Sequence, residues 1–491
     1  MSEEKAYTNI FKTTFLFGFV QVFNILVKVG TNKAVALLLG AEGMGIIGLF
    51  NSATGMIKTG AGLGVSQSAI RDISEANGSS NHKRFSRIIS LTNKVIIFTC
   101  LLGIIITITL SPLLSKWSFG SNAYSISFIW LSLVVGLNIL SEGQLAILKG
   151  MRQLEALAKA SMIGSIVGLF TSVPFYYFFG KNGIVPSLII TAFSALFFSN
   201  YFVRKIKYNR TKLSLKEIYI EASPMVRMGV ALMIVSFIGS LFDLIVSSYI
   251  RHTGSLVDVG FYHAGTMIIS GYFGVIITAM STDYYPRISA VHNDNIKLAL
   301  EMNKQSETGL IMVFPLVVLF VFLSPIIVNF LYSSEFHSTT LYTDYAMLGT
   351  IIIIVSNCMG MILLAKQAAN IFLLYVIIQR VFLIIIYIIS YKYLGLTGLG
   401  ISYFITGVAH LILMSFALKF HFRIELAKRT YLLLFLIGIT TFITITVRNI
   451  DIPIVSIVLG SFIFIFSLTF TYIYLKKKMK IDILNIINKK R

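Results

Sequence analysis

Charge is what this sequence has least of. Only 12% of its 491 residues are Asp, Glu, Lys or Arg, where a soluble domain carries about 25% to cover its surface with water-compatible groups. A water-soluble globule is therefore excluded. Proline is sparse too, with eight in the chain, and cysteine is limited to Cys100 and Cys358. Both cysteines lie inside apolar stretches, so a disulfide framework is excluded and buried free thiols are expected. Acidic residues are the scarcer charge, 20 against 41 Lys and Arg, a formal net charge of +21. That excess does not point to nucleic acid, because the basic residues form short clusters between apolar stretches, the pattern of membrane-orienting charge.

What is present in abundance is apolar sequence: 56% hydrophobic residues and a mean hydropathy of +0.83. Runs of 17 or more such residues are long enough for helices that cross a bilayer, where each backbone polar group must be satisfied within its own segment. Fourteen emerge, and the expected fold is an all-α polytopic membrane protein. The runs are 10–39, 44–68, 88–110, 124–148, 157–179 and 184–203, then 225–250, 259–282, 307–331, 343–365, 371–391 and 399–420, and finally 431–447 and 454–475. Residues Met1 to Asn9 carry Glu3, Glu4 and Lys5 ahead of a stretch too long for a signal h-region, so no cleavable signal peptide is expected.

An even number of crossings puts both termini on one side. With the termini cytoplasmic, the outside loops hold only Lys116, Lys181, Arg251, Lys392 and Arg448. The inside segments then hold most of the basic residues, among them Arg204, Lys205, Lys207, Arg210, Lys212 and Lys216 and the tail Lys476, Lys477, Lys478 and Lys480. The positive-inside rule selects that orientation. The outside loops are short and leave no room for a periplasmic catalytic domain.

A shift of 215 residues superposes landmarks. Gly45 falls on Gly260, Ile73-Ser74 on Ile288-Ser289, Gly180 on Gly395 and Gly183 on Gly398, while Leu110-Ser111-Pro112 meets Leu323-Ser324-Pro325 at nearly the same offset. The expected organisation is two pseudo-symmetric six-helix lobes, 1–203 and 224–420, joined by a basic cytoplasmic linker, 204–223. Residues 421–491 add two helices and a basic tail. Each lobe has an even number of helices, so the repeats enter the membrane in the same sense, an arrangement that supports rocking of one lobe against the other.

Charges at membrane depth cost roughly 2.5–3.5 kcal/mol each on insertion scales, so they pair or line a cavity. Gln21, Asn24, Lys28 and Asn32 form one polar stripe on the first helix, and Asn51, Thr54 and Lys58 a weaker one on the second. Ser236, Ser240, Asp243 and Ser247 follow the same spacing on the seventh, and His263, Thr266 and Ser270 on the eighth. Lys28 shifted by 215 is Asp243. The stripes read either as the walls of a water-filled cleft between lobes or, for Lys28 and Asp243, as a structural ion pair. Lys58 and Arg380 have no acidic partner evident in the sequence, Lys33 is near enough to an end to snorkel, and Glu142 is within reach of several cations. Lone histidines such as His263 and His410 are more often hydrogen-bonded core residues than proton carriers. Lys28, Lys33, Lys58 and Arg380 against Asp243 and Glu142 leave a basic interior, suited to a phosphate or pyrophosphate and poorly suited to organic cations.

No P-loop, HExxH, GxSxG, paired CxxC or EF-hand pattern occurs. No enzyme activity, metal or cofactor is expected, and energy must come from a substrate gradient, an ion gradient or the membrane potential. The glycines of Gly60-Ala61-Gly62-Leu63-Gly64 fall within a helix, which indicates close packing or a hinge rather than a nucleotide loop.

The segment Leu39-Gly40-Ala41-Glu42-Gly43-Met44-Gly45-Ile46-Ile47-Gly48-Leu49-Phe50 is similar to members of the multidrug/oligosaccharidyl-lipid/polysaccharide exporter superfamily, and within it to O-antigen flippases of Gram-negative bacteria. Ser68-Ala69-Ile70-Arg71, Leu148-Lys149-Gly150-Met151-Arg152 and Tyr284-Tyr285-Pro286-Arg287 add to the resemblance, which spans nearly the whole chain. It implies an inner-membrane flippase that moves undecaprenyl-pyrophosphate-linked oligosaccharide from the cytoplasmic to the periplasmic leaflet. Proton or sodium coupling would involve Asp243, Glu142 or His263, and the polysaccharide polymerase machinery would be a partner. On the reading of the stripes and intramembrane charges as cleft walls, Lys28, Lys58, Arg380, Asn24, Asn51, Asp243 and Glu142 would meet substrate; by the analogy Arg71 and Arg287 would sit at an inner gate, and both arginines serve equally as positive-inside anchors. The alternatives are a peptidoglycan-precursor flippase, an ion-coupled drug antiporter with an acidic cleft, and a glycan ligase or polymerase, which would need catalytic acids or a large periplasmic loop.

Overall fold

The computed structural model describes residues 3–78, 82–206, 208–209, 211 and 213–478, with side chains from residue 20 onward apart from 215, 282 and 369. Lys207, Arg210, Lys212 and Lys480 lie outside the described residues.

The described residues are helical almost throughout, with no strand among them. In chain order the helices are α1 (Glu3–Ala61), α2 (Val65–Gly78), α3 (His82–Thr109), α4 (Ser111–Phe119), α5 (Ser125–Gly150), α6 (Leu154–Phe179), α7 (Ile184–Arg204) and α8 (Leu215–Thr253). They continue with α9 (Leu256–Thr266), α10 (Gly274–Ala290), α11 (Asn295–Leu331), α12 (Thr339–Ala365), α13 (Ala369–Phe422), α14 (Lys428–Arg448) and α15 (Pro453–Lys478). A π-helical stretch, Met267–Phe273, joins α9 to α10. Eleven helical segments among the described residues are long and apolar enough to cross a membrane. This is a polytopic, all-helical membrane protein.

Three of those segments, Val20–Ala61, Leu154–Arg204 and Asn370–Phe422, are 42, 51 and 53 residues long. One crossing takes about 20 residues, and each of the three turns near its middle at a glycine. Gly40 (φ 67°), Gly180 (φ 54°) and Gly395 (φ 58°) all have positive φ. There a Cβ collides with the backbone, so glycine is the residue that lets the chain reverse without strain. Gly180 (ψ −132°) and Gly395 (ψ −140°), 215 residues apart, share nearly the same backbone conformation.

The 215-residue offset recurs where no glycine marks it. After α5, the amide of Met151 bonds the Ile147 carbonyl (3.0 Å), Arg152 takes φ 56°, and the Gln153 amide bonds the Leu148 carbonyl (2.9 Å). After α12, Lys366 bonds Ile362 (2.8 Å), Gln367 takes φ 58°, and Ala368 bonds Leu363 (2.9 Å). This is the left-handed helix stop in which a 6→1 bond satisfies a terminal carbonyl. Every atom pair in the second turn is the first moved on by 215.

The offset has limits. Pro112 lies in the first turn of α4, after the end of α3, whereas Pro325 lies inside the unbroken α11. A proline is tolerated at a helix start because its missing N–H has no intrahelical partner there; inside α11 it removes one ladder bond and the helix continues.

The chain divides into two compact units, Met1–His263 and Ala264–Arg491. In the first, α6 packs on α7, α5 on α3 and α7, and α8 on α1 and α2. In the second, α12 packs on α13 and α11, and α11 also receives α14 and α15. The short run 62–64 separates α1 from α2, with Leu63 and Gly64 at φ 50° and 61°. The described part of the segment after α7 is not loose. Ile206 and Leu213 are buried, the amides of Asn209 and Thr211 donate to Ser86 (3.3 Å) and Ser90 (3.2 Å) of α3, and Lys94 donates to the Leu213 carbonyl (2.7 Å).

Candidate functional site

The first unit concentrates the polar residues that the helical stripes single out. Lys28 in the first arm of α1, Asn51 in the second, Glu142 in α5 and Asp243 in α8 are all exposed. They sit along helices whose lipid-type surface includes exposed Leu26 and Leu37 of α1, Trp130 of α5 and Leu232 of α8. A charged group in the apolar part of such a helix cannot face hydrocarbon cheaply and so faces water or another charge. Lys28 and Asp243, the two residues related by the 215 shift, are both exposed rather than sealed together in a core.

Lys58 has an acidic partner that the sequence did not reveal. Its Nζ lies 2.6 Å from Glu142 Oε1, with the two side chains 30% and 51% exposed. Lys58 occupies the last turn of α1, where the helix dipole favours a cation, and Glu142 reaches it from 84 residues away. The pair remains wet enough for water or a ligand to compete. One turn away, Thr59 and Ser240 hydroxyls are 3.3 Å apart, tying α1 to α8. Asn24 donates to Ser161 of α6 (3.3 Å), beside a cavity of about 160 Å³ that Gln21 and Lys149 also line.

The histidines are held as packed, hydrogen-bonded groups. The Ser247 hydroxyl is 3.2 Å from His263 Nε2, and Gly48 leaves room for the ring, since a Cβ there would lie 1.9 Å from it. His410 Nδ1 is 2.8 Å from the Ser356 hydroxyl in the second unit. Arg380 is half-buried in α13, within electrostatic reach of Tyr403 and His410.

The two gate arginines differ. Arg71 of α2 is exposed and its guanidinium lies 3.0 Å from the Met228 sulfur. Arg287 of α10 is the centre of a network, with Asp283 at 3.0 Å, Glu301 at 2.6 Å and the Gln305 side-chain Oε1 at 2.6 Å. The second network fixes α10 to α11.

Sequence reasoning overlooked two further clusters. Arg87 at the start of α3 grips Glu221 through Nε (2.9 Å) and also bonds Glu217 (2.8 Å), both on α8. Arg448, read as a loop cation, closes an ion pair with Asp344 that is 9% and 0% exposed. Neither was legible because the partners are more than 100 residues apart. Among the described residues no group of three or more His, Cys, Asp or Glu is placed to hold a metal ion, and both cysteines are buried free thiols.

The family described as "Polysaccharide biosynthesis protein" matches residues 34–341, well over half of the chain. The chain belongs to this family. The matched region takes in Asn51, Lys58, Arg71, Glu142, Asp243, His263 and Arg287, leaving Asn24, Lys28 and Arg380 outside it. No curated protein matches the chain. Among solved structures, this polysaccharide biosynthesis protein is similar to "Lipid II flippase MurJ, inward closed conformation". The TM-score is 0.66 at 15% identity, covering 95% of this chain and 100% of that one. An inward-facing multidrug resistance MATE family transporter of the MOP superfamily aligns with TM-score 0.64 at 16% identity, over 84% and 95% of the two chains. A MOP superfamily transporter from Pyrococcus furiosus, whose binding pocket is described as reversed in polarity, aligns at 0.57 and 15% over 83% and 96%. At these identities the likeness establishes the fold: that of flippases and transporters.

Proposed function

We propose that this family member is a flippase that carries an undecaprenyl-pyrophosphate-linked oligosaccharide, an O-antigen or related surface-polysaccharide unit, from the cytoplasmic to the periplasmic leaflet of the inner membrane. In this reading each arm of the three long segments crosses once, giving fourteen crossings with both termini cytoplasmic. Residues 1–203 and 224–420 act as the two lobes whose relative motion alternates access, and 421–491 supply the two added helices.

The observation that supports it best is the family match, because it names polysaccharide biosynthesis for a chain with a transporter fold. The polar surface of the first unit adds a chemical reason. Lys28, Asn51, Lys58, Glu142 and Asp243 supply hydroxyl-binding and phosphate-binding groups at membrane depth, with the Lys58–Glu142 contact partly open to water. A pyrophosphate competes with Glu142 for Lys58, since both offer an anionic oxygen to the same ammonium group. Glycan hydroxyls bond to Asn51 and Asp243 while the polyprenyl tail stays in lipid. Such a step breaks no covalent bond, so the role needs no catalytic residue.

A lipid-linked precursor of peptidoglycan is the second reading. It is favoured over drug antiport by coverage: the likeness to MurJ spans 95% of this chain, that to the MATE transporter 84%. Proton or sodium coupling belongs to the same proposal, with Asp243 and Glu142 as the exposed carboxylates that would meet the ion.

The test is reconstitution into liposomes with a fluorescent polyprenyl-pyrophosphate oligosaccharide, reading the fraction exposed to an added glycosidase. The expected result is protein-dependent movement of the O-unit lipid exceeding that of a lipid-linked disaccharide-pentapeptide. Reversed preference would select the peptidoglycan reading. Movement of neither lipid, with uptake of an organic cation, would falsify the flippase reading.

A further inference from the structure

A second polar cavity lies outside the surface just described. It has a volume of about 650 Å³ and lies between α3, α5 and α7, roofed by the segment that leaves α7. Lys94, Asn93, Gln144, Asn200, Arg204 and Tyr208 contribute its polar lining, and among the described residues no Asp or Glu lines it. The amides form a chain: Gln144 donates to Asn93 (3.2 Å), which donates to the Tyr208 hydroxyl (3.3 Å). Lys94 spends one proton on the Leu213 carbonyl and keeps two others. Arg204 ends α7 and is exposed.

Two apolar stripes run away from this cavity. On α3 they are Ile97, Leu101 and Ile105, and on α7 Phe193, Phe197 and Tyr201, each set spaced four residues apart and exposed. Residues so spaced lie on one face of a helix. The cavity therefore combines two cations and amide donors with two diverging hydrocarbon tracks, at the helix ends that carry the basic connecting segment.

We propose that this cavity is a seat for one anionic phospholipid, with its phosphodiester headgroup between Lys94 and Arg204 and its two acyl chains along the α3 and α7 stripes. A basic pocket between helices at the headgroup level is the arrangement that holds such lipids. Two stripes match a two-chain lipid; a polyprenyl pyrophosphate has one chain, and free phosphate has none to place. Because Ile206, Tyr208 and Thr211 form part of the wall and the Thr211 amide donates to Ser90, a bound headgroup also holds the chain ahead of α8 against α3. The inference does not depend on which glycolipid the protein transports.

Native mass spectrometry of the purified full-length protein tests it, with phosphatidylglycerol and phosphatidylcholine offered in equal amounts. Retention of one phosphatidylglycerol in preference to phosphatidylcholine is expected. Arg204→Gln, at an exposed position, should weaken that retention about fivefold, the worth of one basic side chain at a membrane surface. Lys94→Gln should do the same, and circular dichroism on both variants separates lost binding from lost folding. Equal retention of the two lipids, or undiminished retention by a folded Arg204→Gln, overturns the proposal. So does displacement of the lipid by inorganic phosphate or by farnesyl pyrophosphate at equimolar concentration, which would reassign the cavity to a free anion or to an isoprenoid substrate.

Discussion

Gly45 and Gly260 hold two helices together in a reciprocal contact. A Cβ at Gly45 would lie 2.0 Å from the Leu256 carbonyl oxygen, and a Cβ at Gly260 would lie 2.0 Å from the Ala41 carbonyl oxygen. Residues 41 and 256, like 45 and 260, are 215 apart, so the contact maps onto itself when the two helices are exchanged. Both lie in the first unit. Small residues at a membrane helix crossing let backbones approach, which compensates for the lack of a hydrophobic drive between helices in lipid.

The first prediction follows from that geometry. Gly45→Ala and Gly260→Ala each force a backbone shift, and overpacking of this kind costs about 1–3 kcal/mol. Each should lower the midpoint of thermal unfolding in detergent, read by size-exclusion fluorescence. Gly55→Ala, where nothing lies within 4 Å of the added carbon, should leave it unchanged or raised. Equal behaviour of the three variants would remove the crossing as the reason for these glycines.

Much of this architecture is legible in the sequence. Long apolar runs locate helices because lipid imposes length and internal bonding together, and landmark glycines such as Gly180 and Gly395 mark the 215-residue spacing because a backbone at positive φ tolerates little else. The matching turns at Arg152 and Gln367 were invisible, since two non-glycine residues of different chemistry adopt one conformation through their surrounding bonds. At the candidate site the residue types were legible from helical spacing, but their partners were not. Lys58 reads as unpaired because Glu142 belongs to another helix, and nothing in a linear pattern says which helices touch.

The Lys58–Glu142 pair gives the second prediction. Partly exposed pairs contribute roughly 0–1 kcal/mol to stability, so Lys58→Ala and Glu142→Gln should leave the unfolding midpoint within a degree or two of the parent. Their effects on transport should separate. Lys58→Ala removes the cation and should slow glycolipid movement at least about tenfold, the scale of a lost charge-assisted bond. Glu142→Gln frees the cation and should tighten substrate retention. Parallel loss of stability and transport in both variants would make the pair structural.

Orientation supplies the third. Arg204, Lys205, Arg423, Lys428 and Arg429 flank helix ends that the positive-inside rule assigns to the cytoplasm, and Lys181 and Arg448 flank ends on the other side. Alkaline phosphatase fused after Lys181 should be active, and a fusion after Lys205 inactive. The reverse pattern would invert the topology and, with it, the direction of transport.

The fourth concerns how α14 is anchored. Arg448, its last residue, bonds Asp344 of α12 as well as the Ser324 hydroxyl and the Val321 carbonyl of α11 (3.2 Å for the last), in a setting almost closed to solvent. One cation thus joins three helices of the second unit. Removing one member of a buried pair leaves a charge with neither water nor partner, at a cost of about 3–5 kcal/mol. Arg448→Met should therefore destabilise the protein strongly, because Asp344, whose Oδ1 has no hydrogen-bond partner among the described residues, would lose the cation that pairs with it. Removing both charges removes the cause of that penalty. The double variant Arg448→Met, Asp344→Leu should recover most of the lost unfolding midpoint, a non-additive rescue that independent sites do not show. Additive losses in the double variant would mean that α14 is held by its apolar packing on α11 and not by this pair.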